Sequence, residues 1–165
     1  MSPVTVFVLQ FAWFGVAWAA VAAFFVAPWV SRLHPDDALS VWLAPQLFRV
    51  LGVGLLVPNL APEMPRSFAA PTALGDSLTA VLALAAVVAL RRRWHGGRAL
   101  AWACSIVGGV DLAIALPHAA RVEAARFLAA QWYVPALGVP LMIVSHLMAI
   151  RALLRNRPPE RGPDT

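Results

Sequence analysis

Apolar residues run from Val4 to Val30 with a polar amide only at Gln10. Further apolar runs cover 37–58, 71–91, 99–116 and 132–154, separated by short stretches rich in Pro, Arg, Asp and Gly. Runs of about 20 residues suffice, as helices, to cross a hydrocarbon layer of about 30 Å. The pattern therefore predicts an all-α integral membrane bundle of five transmembrane helices. It forms one domain over 1–156, with a cytoplasmic tail at 157–165. In the first helix Phe7, Phe11, Phe14, Trp18 and Phe25 share one face, and Gly15, Ala19 and Ala23 share another. Small residues at this spacing let helix backbones approach, so the small face is expected to pack and the aromatic face to meet lipid.

Turn chemistry marks the boundaries. Pro35-Asp36-Asp37 offers N-cap carboxylates to the second helix. That helix holds Pro45, Gln46 and Arg49; if it restarts at Pro45 it becomes re-entrant, and four spans plus a re-entrant helix is the alternative architecture. The third helix is expected to open at Pro71 as an N1 residue and the fourth to stop before Pro117. Residues 118–131, with Arg121, Glu123 and Arg126 among alanines, read as a short interfacial helix. The fifth span bends at Gly138-Val139-Pro140, where proline withholds the donor for the Ala136 carbonyl.

Composition fits this picture. Hydrophobic residues are 61% and charged residues 13%, against about 45–50% and 25% in soluble domains. So few charges cannot clothe a soluble globule, and the hydrophobicity excludes disorder. A net charge of +5 does not point to nucleic acid, because the arginines cluster beside apolar runs. With five spans, Arg32, Arg91, Arg92, Arg93, Arg98, Arg151, Arg155, Arg157 and Arg161 gather on one side. Only Arg66, Arg121 and Arg126 lie on the other. The positive-inside rule then puts the C-terminus in the cytoplasm and the N-terminus outside. Trp29, Trp42 and Trp94 would mark the inner interface and Trp132 the outer one. The first 30 residues lack Lys and Arg, and their apolar run exceeds a signal peptide's core, so they read as an uncleaved span.

Ionisable groups inside a bilayer are costly and point to function. Asp76 and Asp111 fall roughly 7–10 Å, and Arg49 about 13 Å, below the outer boundary at 1.5 Å per residue. The three are expected to meet at one level, with a formal charge of −1 that a proton on one Asp would cancel. Cys104, Gly108, Asp111 and His118 share a face of the fourth helix, so His118 joins the candidate ligand-binding set. The competing structural reading makes Asp76 a helix-dipole partner and Arg49–Asp111 a pair that fixes register. His146, in the inner half of the fifth span, is a secondary candidate or a hydrogen-bonded packing residue, and Cys104 is a small buried apolar residue. No two of His34, His95, His118 and His146 match in depth within the membrane, so no haem is expected. Metal spacing and other cofactor motifs are missing, and no complete catalytic constellation is present.

Several strings together resemble a known type of protein: Leu47-Phe48-Arg49 leading to Gly52–Pro58, Phe68 to Asp76 as FAAPTALGD, Gly108-Gly109-Val110-Asp111-Leu112, and Trp132 to His146. The set resembles small multi-pass bacterial inner-membrane proteins of unassigned function. The resemblance implies a bacterial membrane origin and carries no activity. Two functional readings follow. One is a non-enzymatic accessory or scaffold bundle, embedded in the lipid bilayer and meeting a membrane-protein partner or a second copy through its first helix. The other is a small-molecule or lipid binder, permease or lipid-modifying enzyme built on an outer-half pocket around Arg49, Asp76 and Asp111.

Overall fold

The structure, a computed structural model, describes residues 1–155. The proposed tail 157–165, with Arg157 and Arg161, lies outside the described residues. Among the described residues five helices are long and apolar enough to cross a membrane: α1 Pro3–Val30, α2 Pro35–Leu56, α3 Arg66–Arg91, α4 Gly97–Arg121 and α5 Ala129–Arg155. The second helix is continuous across Pro45, as five spans require. The all-α architecture is therefore present, with α3 packed between α2 and α4, and α5 against α1, α2 and α4.

The helices meet through small side chains. Between Phe68 and Leu90 at its ends, the buried face of α3 is Ala69, Ala73, Thr79, Ala80, Ala83, Ala86 and Ala89, which lets neighbouring backbones close in. Large apolar side chains such as Leu74, Val81, Ile106 and Ile114 point outward instead. That inversion of the soluble pattern suits an apolar solvent. Trp29 and Trp94 are exposed at the arginine-rich end, whereas Trp42 is buried in the core with Leu39, Leu43 and Leu90 and marks no interface.

Several boundaries differ from expectation, each for a local reason. Helix α3 begins at Arg66, because the Pro65 carbonyl accepts from Phe68 and Ala69 (both 2.9 Å) while these two bury their side chains. Pro71 is therefore carried inside the helix. Helix α4 continues through Pro117 to Arg121. In place of one interfacial helix, Ala124–Phe127 and Ala129–Gln131 form short 3₁₀ turns after Glu123, at φ 49°. Ala124 and Leu128 then cover that end of the bundle with Ala61, Met64 and Phe68. At the other end His34, not a carboxylate, caps α2 by accepting from the Asp36 amide (3.3 Å). Asp37 instead pairs with Arg91 (3.0 Å) and Arg93 (2.6 Å), and Asp36 with Arg93 (3.4 Å).

The faces of α1 are reversed over Phe7 to Trp18, whereas Phe25 is exposed as expected. Phe7, Phe11, Phe14 and Trp18 are partly buried, while Ala19 and Ala23 are exposed. A Cβ added at Gly15 would meet nothing within 4 Å. The aromatic side docks because it carries the polar handle: the Trp18 indole donates to the Leu137 carbonyl (3.1 Å). That carbonyl belongs to a π-turn, Val134–Gly138, set just before Pro140. A second π-turn, Ala22–Val26, precedes Pro28 in α1. Such turns absorb the hydrogen bond that a proline cannot make.

Close packing of α3 leads to a stability prediction. Ala83→Leu, at a fully buried site, should lower stability by about 1–3 kcal/mol, as overpacking does. Leu84→Ala on the exposed side should change it far less. Thermal unfolding in detergent checks both.

Candidate functional site

Helix α2 changes character where the site begins. Pro35–Leu43 is α-helical, and Ala44–Leu56 is a 3₁₀ helix. At three residues per turn, positions three apart eclipse. Gln46, Arg49, Gly52 and Leu55 are the buried residues of this segment and thus form one straight row. An α-helix would rotate each successive member by about 60° and carry Leu55 to the opposite side from Gln46. The 3₁₀ winding keeps the whole row, from Gln46 to Leu55, facing the interior.

Arg49 stands at the centre of a charged cluster. Its Nε donates to Asp76 Oδ1 of α3 (2.8 Å), and its Nη2 to Asp111 Oδ2 of α4. Its Nη1 donates to the Gly108 carbonyl (3.4 Å). The Arg49 side chain is 1% exposed, against 16% for Asp76 and 13% for Asp111. Glycines make room for this. A Cβ on Gly52 would collide with the Asp76 carboxylate, and one on Gly75 with that of Asp111. Each acid is therefore seated against a glycine of a neighbouring helix.

The cluster borders a cavity of about 370 Å³. Phe7 and Phe11 of α1 form one wall, with Phe48, Phe68, Leu112 and Leu128 among the apolar residues of the others. Thr72, Glu123 and Gln131 are the further polar lining residues. Gln131 was not anticipated from the sequence. It is buried, donates to the Leu51 carbonyl (3.4 Å), and occupies space that a side chain at Gly54 would fill. Gly54 was its only trace in the sequence, because a glycine inside an apolar span marks a close approach without naming the partner.

His118 is not brought to these three residues. It shares the α4 face with Asp111 but lies seven residues on, about 10 Å along the axis. Its ring meets Phe68 edge-on at 5.5 Å, and it lines a separate shallow pocket with Pro117 and Arg121. His146 lies on the other side of Gly108, packed against Gly108 and Gly109, with Nε2 bonded to the Ser105 carbonyl (2.7 Å). Gln46 donates to the Met142 carbonyl (2.9 Å) and Ser145 Oγ (2.8 Å). Buried Cys104 lies with its Sγ 3.8 Å from the Thr79 carbonyl. Among the described residues no three His, Cys, Asp or Glu side chains gather as a metal site would need.

The family described as a domain of unknown function (DUF8737) matches residues 6–154, a stretch that holds the whole cluster and its cavity. The chain belongs to this family. No curated protein and no solved structure matches it. Membership extends the fold to a family without adding a chemistry, so the geometry must supply the functional reading.

The buried ions predict an asymmetric response to mutation. Arg49→Met leaves two carboxylates without their cation and should cost about 3–5 kcal/mol. Adding Asp76→Asn and Asp111→Asn to it should recover most of that loss, since no charge is then stranded. Unfolding midpoints of the single and triple variants in one detergent decide this.

Proposed function

We propose that this is a multi-pass membrane protein that binds a small, largely apolar molecule between α1 and the rest of the bundle. The observation that carries the reading is that Arg49, Asp76 and Asp111 converge on the wall of an otherwise apolar cavity. A packing pair that only fixed register would gain nothing from bordering open space. A buried ion group is often no more stabilising than apolar residues of the same volume, so its presence beside a cavity favours a ligand. The volume suits a molecule of a few tens of heavy atoms at most, and the polar groups at one wall would orient it. The role is one of binding or carrying rather than catalysis.

We further propose a bacterial inner-membrane location with the arginine-rich end in the cytoplasm. Support comes from the gathering of Arg32, Arg91, Arg92, Arg93 and Arg98 at one end of the bundle. A reporter fused after Thr165 should then be active only if it functions in the cytoplasm. Activity of an exported reporter there would reverse the orientation.

An accessory or scaffold role is the second reading. It is favoured by the small-residue face of α1, where Ala19 and Ala23 are exposed and a Cβ on half-buried Gly15 would meet nothing within 4 Å. A second copy or another membrane protein could pack there.

Native mass spectrometry from mild detergent separates the two. The first reading expects one chain with a bound small molecule. Ala115→Phe, which projects into the cavity, should abolish that mass while leaving the unfolding temperature unchanged or higher. A bare dimer or hetero-complex, untouched by Ala115→Phe and dissociated by Gly15→Leu, would favour the assembly role instead.

A further inference from the structure

The charges around the cavity are arranged unequally, and the arrangement selects among ligands. The guanidinium is the least accessible member, at 1%, with each of its three nitrogens directed at an acceptor of the protein. What an entering molecule meets is carboxylate. Asp76 uses Oδ1 and Asp111 uses Oδ2 to hold Arg49. Asp76 Oδ2 and Asp111 Oδ1 accept no hydrogen bond among the described residues, and neither is sealed from the surface. One guanidinium between two ionised carboxylates leaves a charge of −1 in apolar surroundings. Either a proton on one carboxylate or a cation lodged from the cavity cancels it, and the two exclude each other.

The remaining lining carries no competing positive charge. Glu123, the other carboxylate of the lining, is paired with Arg126 (2.5 Å) and adds no net charge of either sign. The rings of Phe7, Phe11, Phe48 and Phe68 also border the cavity. Aromatic faces attract cations and repel anions. An anionic headgroup would meet two carboxylates and no exposed donor of matching charge.

We propose that the cavity takes an organic monocation, an apolar body carrying a protonated amine, whose ammonium lodges against Asp76 and Asp111. The inference rests on the cavity being a ligand site and names the class of ligand. The ammonium donates to the two free carboxylate oxygens, the displaced proton leaves to solvent, and the apolar body fills the space between α1 and α4.

Three probes of one shape and different charge test this on the full chain in a non-ionic detergent. They are 4-phenylbutylamine, 4-phenylbutanol and 4-phenylbutanoate, titrated calorimetrically at about pH 8, where free carboxylates are ionised and the amine is protonated. The ammonium should bind at least about tenfold more tightly than the alcohol, a difference of about 1.4 kcal/mol, and the carboxylate should bind worst. Asp76→Asn and Asp111→Asn, each nearly isosteric, should each remove the preference for the ammonium while the alcohol still binds. Equal binding of amine and alcohol, or tighter binding of the carboxylate, overturns the cation assignment and leaves the cavity reading standing. A preference that survives both Asn variants also overturns it, since the cation would then sit elsewhere. Failure of all three probes removes the cavity reading and this inference with it. Should an Asn variant not fold, the ranking of the three probes on the unaltered protein decides alone.

Discussion

A guanidinium with almost no exposed surface, held between carboxylates from two other helices, constrains everything around it. Taking such a group out of water costs several kcal/mol unless every partner is in place. That requirement ties α2, α3 and α4 to one relative height, because Arg49, Asp76 and Asp111 must reach a common point. It also explains Gly52 and Gly75, whose missing side chains leave space for the two acids. The tight winding of α2 in turn keeps Gly52 and Leu55 on the same inward line as Gln46 and Arg49.

Around that point the packing obeys a different economy of size. The interior of α3 is almost entirely alanine, so helices approach closely and little room is left for ligands there. The exception lies beside α1, where phenylalanines rather than alanines face the bundle. Large rings keep α1 at a distance from the neighbours it shields, and the cavity is the space left over. Two indole hydrogen bonds hold this wall to α5, from Trp18 to the Leu137 carbonyl and from Trp132 to Gln10 (2.6 Å).

Much of this was readable from residue order. Hydropathy alone located five helices, and counting residues put Arg49, Asp76 and Asp111 in the same half of the bundle, even though α3 and α4 extend beyond the ends the count assumes. His118 shows the limit of that reasoning: a helical wheel reports direction and ignores height, and two turns separate it from Asp111. On α1 small-residue spacing describes where a helix can pack, whereas the Trp18 hydrogen bond decides that the side from Phe7 to Trp18 docks, with Phe25 left outward. Prolines misled in the same direction. Pro71 and Pro117 look like boundaries, yet each forfeits only one backbone hydrogen bond, and each stands within a helix that the burial of its neighbours extends. The 3₁₀ segment left no sequence signal, since spacings of 3 and 3.6 residues differ by too little over a single turn. Gln131 reached the cavity through a chain reversal that no periodicity describes.

The winding of α2 has one more effect, on distance along the axis. A 3₁₀ helix rises about 2.0 Å per residue and an α-helix 1.5 Å. Its 22 residues therefore extend about 39 Å, the length that the 26 residues of α3 reach in ordinary α form. A helix one turn short of its neighbour in residues matches it in reach. The Asp36 and Asp37 carboxylates at its start consequently arrive level with the arginines that end α3, and its far end arrives level with the cap over the cavity. The tighter winding that keeps one row of residues facing inward thus also gives the helix its full height.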